Sequence, residues 1–277
     1  MLNKNSHILS RSGSFIFNSK NFIIIIILGI LFTTTIPAQI NFFDHDSTTS
    51  GCSHFSIDLT VNDYGISFGN SENINGIRFN ISDCGIHNIN GINFTLWKPE
   101  ENPGSRVNGL SFGVAPYADE LNGISIGIAA VVAEKKMRGL NLGVLANVSN
   151  GQISGLNLGG LACVGNKDIS GINMAGLALV SNGNISGVNL GGLALVSKGG
   201  LNGINIGGLA SVSDKEIQGF NFSSLALVSQ KNIYGINFGG LATVAKEDIY
   251  GINFGGLALV SEGKINGISI GGLATVV

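Results

Sequence analysis

The chain has 277 residues, of which 42 are glycine, 44% are hydrophobic and 12% are charged, and its formal net charge is −2. This length allows one large domain or two ordinary ones, and the composition is typical neither of an enzyme nor of a disordered chain. The net charge and the lack of a stripe of Lys and Arg argue against a nucleic-acid-binding surface.

Residues 1–38 are predicted to be a signal peptide. Basic residues without any acid occupy the first part, and an apolar run of 11 residues follows, Phe22–Phe32. At ~1.5 Å per residue this run is much shorter than the ~30 Å hydrocarbon core of a bilayer. Cleavage after Ala38 would export a mature chain that starts at Gln39. The alternative is an uncleaved anchor.

Residues 39–64 are predicted to form an N-terminal linker with a first strand. The segment Asp44–Asp46 and His54 carry metal-ligand residue types, but their spacing matches no established ligand motif. We therefore predict a solvated linker there, and neither a metal nor a cofactor.

The three cysteines are Cys52, Cys84 and Cys163. In an exported protein Cys52 and Cys84 could pair and leave Cys163 alone. The favoured interpretation is that all three are free, small hydrophobic residues.

Residues 65–122 contain irregular repeats, interrupted by a longer loop at 95–109. This loop holds the single Trp, two prolines and a dense mixture of charge. Interrupting loops on repeat scaffolds often carry binding, and a plain spacer is the alternative. The candidate interaction residues are Trp97, Lys98, Glu100, Glu101 and Arg106.

Residues 123–277 form a regular array in which glycine recurs every 16 residues, from Gly123 to Gly267. With this glycine as repeat position one, position eight is always Ala, position ten is always Val, and position three is Asn in eight copies. From residue 139 onward every charged residue lies at positions twelve to fourteen. These variable positions are rich in turn formers and predict a solvated turn. Apolar residues at period two between the turns predict strands.

The favoured fold is an all-β, parallel β-solenoid in which each repeat forms one coil of 16 residues. Copies would stack about 4.8 Å apart, so that equal positions lie over one another and the asparagines of position three form a hydrogen-bonded ladder. In the copy that begins at Gly251, Gly255 and Gly256 would turn a corner and Glu262–Lys264 would form the turn. The residues predicted to face the core in this copy are Ile252, Phe254, Ala258, Val260 and Ile265.

The alternative fold is an antiparallel transmembrane β-barrel with one strand of about 13 residues per copy, long enough for an outer membrane. Charge confined to turns agrees with it, as does the alternation of Leu with Ser or Thr at position nine. The lack of an aromatic girdle, the mid-strand glycines and the uniformly short turns oppose it.

No catalytic constellation is visible in the array, because no histidine follows His87 and the acids lie only in turns. The phrase "GINIGGLA" does not match a phosphate-binding loop, since its glycine spacing differs and no helix is predicted after it. We therefore predict that the protein is not an enzyme and has no cofactor.

The phrases of the form G-[IVL]-N-[ILF]-G-G-L-A-x-V, preceded by an export signal, resemble tandem-repeat surface proteins of spirochaetes and Bacteroidetes-type bacteria, whose repeats read like "GLQIGL". The resemblance covers about residues 65–277, with Asn here where those repeats have Gln. It implies an exported, envelope-associated protein without catalytic residues.

The functional hypothesis is a non-enzymatic, exported surface-repeat protein that acts as a structural or adhesive scaffold of the cell envelope, at the cell surface or outside the cell. The alternative is an outer-membrane barrel, with or without a pore. The predicted partners are a second copy, through the edge of the C-terminal repeat, or envelope or host surface components. Membrane association is compatible with the composition, and no nucleic acid is expected.

Overall fold

The computed structural model describes residues 39–43, 55–97 and 102–277, all of them within one compact unit, Ala38–Val277. Every regular element in these ranges is a β-strand. The strands stack in parallel as a β-solenoid of about 12 coils, spaced about 16 residues apart. The predicted fold class is therefore confirmed.

The strands before the regular array differ in length. They are β1 (Gln39–Phe43), β2 (Ser56–Val61), β3 (Tyr64–Gly69), β4 (Asn73–Asn80), β5 (Asn88–Thr95), β6 (Arg106–Gly113), β7 (Tyr117–Gly127) and β8 (Ala130–Gly143).

From β9 onward each coil contributes one short and one long strand. The short strands are β9 (Ala146–Ser149), β11 (Ala162–Gly165), β13 (Ala178–Ser181), β15 (Ala194–Ser197), β17 (Ala210–Ser213), β19 (Ala226–Ser229), β21 (Ala242–Ala245), β23 (Ala258–Ser261) and β25 (Ala274–Val276). The long strands are β10 (Gln152–Gly159), β12 (Ile169–Ala175), β14 (Ile185–Gly191), β16 (Leu201–Gly207), β18 (Ile217–Ser223), β20 (Ile233–Gly239), β22 (Ile249–Gly255) and β24 (Ile265–Gly271).

The long strands form one continuous parallel ladder from β3 to β24, and equal repeat positions pair with one another. Ile233 pairs with Ile249, for example, and Phe238 pairs with Phe254. The short strands form a second parallel ladder from β9 to β25. Since the antiparallel barrel requires antiparallel neighbours, that alternative fold is wrong for this part of the chain.

The first coil is covered by an antiparallel hairpin. β2 pairs with β3 through a two-residue turn at Asn62 and Asp63, both of which have positive φ, and β1 pairs antiparallel with β2. Paired positive φ values are typical of the tight hairpin turns that match strand twist. Residues 39–64 thus contain β1 and β2, and the two strands cap one end of the stack.

The corner of each coil lies one residue later than predicted. In the copy that begins at Gly251, β22 ends at Gly255 and β23 begins at Ala258, so that Gly256 and Leu257 make the corner. Glu262–Lys264 connect β23 to β24, as expected for the turn.

The side chains of positions two, four, eight and ten do not face the core, so the prediction that they do is wrong. Ile252 is 38% exposed, whereas Asn253 is fully buried, and Phe254 is half-buried on the outer side. Ala258 and Val260 also alternate with the buried residues of their strand and do not enter the core.

The core is built instead from positions three, nine and fifteen. Position fifteen supplies a row of Ile and Leu from Ile153 to Ile249 without exposed surface, and Ile265 packs against this core, as predicted. Position nine is buried whether it holds Leu227 or Thr243. All copies run in the same direction. The alternation of Leu with Ser or Thr at position nine therefore reflects different residue types packed in one interior.

The glycine at position one has a positive φ in every coil, as at Gly235 with φ 108°. A Cβ built on Gly235 would lie 2.1 Å from the carbonyl oxygen of Gly219 in the preceding coil. Both the backbone conformation and the close approach of successive coils therefore require glycine here.

The cysteines differ from the favoured interpretation at one position. Cys84 is disulfide-bonded, so the prediction that all three cysteines are free is wrong. Cys163 is free and buried. Cys52 lies outside the described residues.

Candidate functional site

The predicted interaction loop is only partly described. Trp97 is 64% exposed, and its backbone amide donates a 2.7 Å hydrogen bond to Ile81 O. Arg106 is the first residue of β6 and lies within the ladder. Lys98, Glu100 and Glu101 lie outside the described residues, and so do Asp44–Asp46 and His54 of the predicted linker.

Arg106 belongs to a group of ion pairs on the side of the stack. Its Nε donates to Glu120 Oε2 at 3.0 Å, and Lys136 Nζ lies 3.8 Å from Glu120 Oε1. Beside them Lys135 Nζ contacts Asp119 Oδ2 at 2.7 Å, which raises the pKa of Lys135. Arg106 is thus engaged by a neighbouring strand, and the structure does not bring it together with Trp97 as one site.

A buried polar network lies between β4 and β5. Arg78 and Asp83 are almost completely buried, and Arg78 Nη1 donates to Asp83 Oδ1 at 2.5 Å and to Asn93 Oδ1 at 3.0 Å. Asn93 Nδ2 and Thr95 Oγ1 both donate to Asp83 Oδ2. The network links β4 to β5 through a buried ion pair, although Arg78 Nε is buried without a hydrogen-bond partner among the described residues. This network was not predicted from the sequence, although Arg78 occupies position three, where later coils have Asn.

The asparagines of position three form the predicted ladder inside the array. Each Nδ2 donates to the Oδ1 of the asparagine in the next coil at 2.7–2.9 Å, from Asn141 through Asn253. At the far end Asn253 Nδ2 donates to Ser269 Oγ at 3.2 Å. At the near end Asn141 Oδ1 is buried and has no hydrogen-bond partner among the described residues.

A shallow polar groove of about 300 Å³ runs along positions fourteen and sixteen, between Gln152 and Asn202. Its acceptors are largely used within the protein. Asp168 Oδ1 accepts from the backbone amide of Asn184 at 2.8 Å, and Asn184 Oδ1 accepts from that of Gly200 at 2.8 Å. The groove therefore shows a second ladder that supports the turns, and no unsatisfied group that requires a ligand.

The same ladder continues at Asp248. Tyr250 Oη and the amide of Lys264 each donate to the Asp248 carboxylate at 2.7 Å, and these hydrogen bonds lower the pKa of Asp248. The bond to Asp248 raises the pKa of Tyr250. Tyr234 and Tyr250 stack with ring centroids 5.2 Å apart, so the tyrosine row is also ordered by coil-to-coil contact.

The outer surface carries a long apolar face, which we call the apolar flank. It consists of positions two, four and seven in the seven coils that begin at Gly155 through Gly251. The leucines of position seven, from Leu161 to Leu257, are 43–48% exposed. Position two is exposed to a similar degree at Ile204 and Ile236.

The aromatic part of the apolar flank lies on the later coils. Phe222 is among its exposed side chains. Phe238 and Phe254 stack with ring centroids 4.8 Å apart. The flank therefore follows the stack as a continuous apolar surface, with bulky rings over several coils.

The backbone amides behind the flank are hydrogen-bonded from coil to coil. Leu257 N donates to Leu241 O at 2.8 Å, and the flanking amides of Gly256 and Ala258 donate to Gly239 O and Leu241 O at 3.0 Å. The same pattern recurs in the preceding coils. The corner that presents the leucines therefore exposes no free amide at these positions.

The described residues contain no group of three or more His, Cys, Asp or Glu that could hold a metal ion. Burial raises the pKa of the Cys163 thiol to about 12, which disfavours the reactive thiolate. In the described part of the chain no helix is long and apolar enough to cross a membrane.

Comparison with known proteins identifies neither a family nor a function for the chain. No protein-family model, curated protein or solved structure matches the chain.

Proposed function

We propose that the chain is a non-enzymatic, exported surface-repeat protein that serves as a structural or adhesive scaffold of the cell envelope. The observation that carries this proposal is the continuous parallel ladder from β3 to β24, which has one register irregularity, between Ala118 and Glu120 in β7. Its strands, about 4.8 Å apart, give a rod on the order of 60 Å long. The repeats contact only their neighbours, so the rod offers regular outer surfaces in place of one central cleft.

The sequence supports the location. The basic segment and the apolar run Phe22–Phe32 are typical of an export signal. The resemblance of the repeats to bacterial tandem-repeat surface proteins agrees with an envelope location, and it remains part of the proposal.

Fractionation of cells that produce the full chain tests this proposal. The expected result is recovery in the envelope or the medium, with a mature N-terminus at Gln39 by mass spectrometry. A matched variant, Ile25→Asp with Ile26→Asp, disrupts the apolar run and should leave the chain in the cytoplasm. Recovery of both proteins in the cytoplasm with an intact N-terminus would contradict export.

Removal of one whole coil tests the scaffold itself. Deletion of residues 203–218 keeps the register, so we expect retained β structure and a rod shorter by about 4.8 Å in small-angle scattering. Deletion of residues 203–210 removes half a coil and places unlike positions against each other, so the array should lose its stability. Equal tolerance of both deletions would argue against a stacked rod.

We propose that a second copy of the chain is a partner of the scaffold. In the coil of β24 and β25, Leu273 is 82% exposed, and these strands pair on one side with β22 and β23. An open strand edge is a template for another chain. Sedimentation should show growth of the full chain with concentration, and Ile268→Lys in β24 should suppress it. Strict monomers at all concentrations would contradict this partner.

A further inference from the structure

The apolar flank is the largest feature of the molecule that the scaffold role does not use. Three side chains per coil over seven coils, many of them about two-fifths exposed, present on the order of 500–1,000 Å² of apolar surface. Monomeric soluble proteins rarely leave more than about 300–600 Å² in one patch. A surface of this size therefore indicates a partner.

Charge is confined to the part of each coil away from the flank. From residue 139 onward the turn positions hold six lysines and six acids, and no other position is charged. The corner with its leucine and the turn lie at opposite ends of each short strand, as Leu257 and Glu262 do on either side of β23. The solenoid thus has an apolar side and a charged edge whose formal charges cancel.

The backbone behind the flank fits a hydrocarbon environment. The corner amides are bonded to the preceding coil at 2.7–3.3 Å, as at Leu225, whose amide donates to Leu209 O at 2.9 Å. In hydrocarbon, unsatisfied backbone groups are costly, so only surfaces with internally bonded backbone can be immersed. For the same reason the flank offers no free strand edge to a protein partner.

The repetition also bears on the choice of partner. Leu209, Leu225 and Leu241 are related by one coil, and their exposures are nearly equal, so a shift by one coil leaves this leucine row unchanged. A protein partner would find no unique register along the leucine row. Fluid acyl chains require none.

We propose that the apolar flank binds a lipid bilayer at the boundary between headgroups and acyl chains, with the charged turns in water. The arrangement is that of an interfacial protein, whose apolar face enters the bilayer by about 5–10 Å without crossing it. This inference rests on the proposed function in so far as a cell envelope supplies the bilayer. The partner that we infer for the apolar flank is the bilayer of that envelope.

Flotation of the purified full chain with phosphatidylcholine vesicles tests the proposal. The unmodified chain should float with the vesicles at low and high salt alike, since the flank carries no charge. A flank variant replaces four leucines by serine and should lower the partition constant by more than roughly tenfold. Its substitutions are Leu193→Ser, Leu209→Ser, Leu225→Ser and Leu241→Ser.

A matched turn variant replaces four lysines by serine and should float like the unmodified chain. Its substitutions are Lys198→Ser, Lys215→Ser, Lys231→Ser and Lys246→Ser. The apolar run Phe22–Phe32 is the same in all three proteins, so it cannot cause a difference between them. Circular dichroism must show equal β content.

A second measurement does not depend on serine substitutions. An environment-sensitive dye is attached to a cysteine at Leu225→Cys or, in the same coil, at Lys231→Cys. Vesicles should shift the emission to the blue at position 225 and leave position 231 unchanged. Cys163 is buried and stays unlabelled in the folded chain.

Three results would overturn the proposal. The first is absence of flotation of the unmodified chain, and the second is an equal loss of vesicle binding in the flank and turn variants. The third is an equal dye shift at positions 225 and 231. A discrete dimer in lipid-free light scattering that the flank variant abolishes would assign the flank to a second copy. Failure of vesicle binding leaves the tests of export and of coil deletion untouched, so the two proposals fail separately.

Discussion

Asn205 donates its side-chain amide to Oδ1 of Asn221 in the next coil at 2.8 Å, and both residues are fully buried. Asn205 Oδ1 in turn accepts from Asn189 at 2.8 Å. A chain of amides therefore runs through the interior, parallel to the axis of the stack. Because each member polarises the next, the ladder joins coils beyond their backbone hydrogen bonds.

Substitution Asn205→Ala should destabilise the chain by about 2–6 kcal/mol. It leaves the amide of Asn189 and the Oδ1 of Asn221 buried without partners, and each such group costs about 1–3 kcal/mol. Urea denaturation followed by circular dichroism measures the change. The control Asn202→Ala lies at the half-exposed groove and should change stability by less than about 0.5 kcal/mol. Equal losses of stability in the two variants would show that the asparagine ladder does not contribute to stability.

Substitution Ser125→Asn should stabilise the chain by about 1 kcal/mol. Ser125 occupies position three in the coil before Asn141, whose Oδ1 is buried without a partner among the described residues. An asparagine there would donate in the same direction as the rest of the ladder. At the other end Ser269 already accepts from Asn253, so Ser269→Asn should add little. Urea denaturation measures the change, and a denaturation midpoint that Ser125→Asn leaves unchanged or lowers would contradict this extension of the ladder.

Substitution Gly235→Ala should cost about 1–3 kcal/mol because position one requires a positive φ that alanine rarely adopts. The control is Gly200→Ala at position fourteen, where other coils hold Asn184 and Glu216. Gly200 has no positive φ, and a Cβ there would lie no closer than 3.1 Å to its nearest neighbour, Glu216 O, so the substitution should cost clearly less. Thermal unfolding of both variants measures the difference, and a larger loss for Gly200→Ala would refute this ranking.

The thiol of Cys163 should resist alkylation in the folded chain. Its pKa is raised by burial from 9.0 to about 12, so at pH 8 the thiol is protonated as well as inaccessible. Peptide mapping after iodoacetamide treatment should find it unmodified until denaturant is added. The control Leu161→Cys, in the same coil on the apolar flank, should react in the folded state. Rapid native labelling of Cys163 would mean that the core opens.

The raised pKa of Cys163 also predicts a pH dependence. The unfolded thiol ionises near pH 9 and the folded thiol near pH 12, so its contribution to stability is complete below pH 9 and is lost as the pH rises towards 12. Cys163→Ser should remove this part of the alkaline loss, as measured by urea denaturation across that range.

The period, the turns and the stacking could be predicted from the sequence because they depend on repetition alone. Identical residues every 16 positions favour parallel, in-register pairing, and the asparagine ladder follows from it. The inward face could not be predicted from apolar periodicity. Both faces of a long strand carry apolar residues, and the sequence pattern favoured Ile252 and Phe254 over Asn253, which is the residue that is buried.

The candidate interaction loop was recognisable as an interruption, but its contacts depend on neighbouring coils. Arg106 pairs with Glu120, which is 14 residues away in the chain and adjacent in the ladder. Arg78 lies at position three of an irregular repeat, and its burial depends on contacts with Asp83 and Asn93 that the sequence pattern does not show. Irregular spacing between residues 65 and 109 prevented these pairs from being read off the period.

The in-register ladders make the molecule mechanically anisotropic. A force that separates its two ends along the axis loads all the hydrogen bonds between one pair of coils together, including the amide bond from Asn237 to Asn253. A force that lifts one strand sideways breaks them one after another. A tether under axial tension would therefore hold until a whole coil interface fails, and would then lengthen by 16 residues of chain at each step.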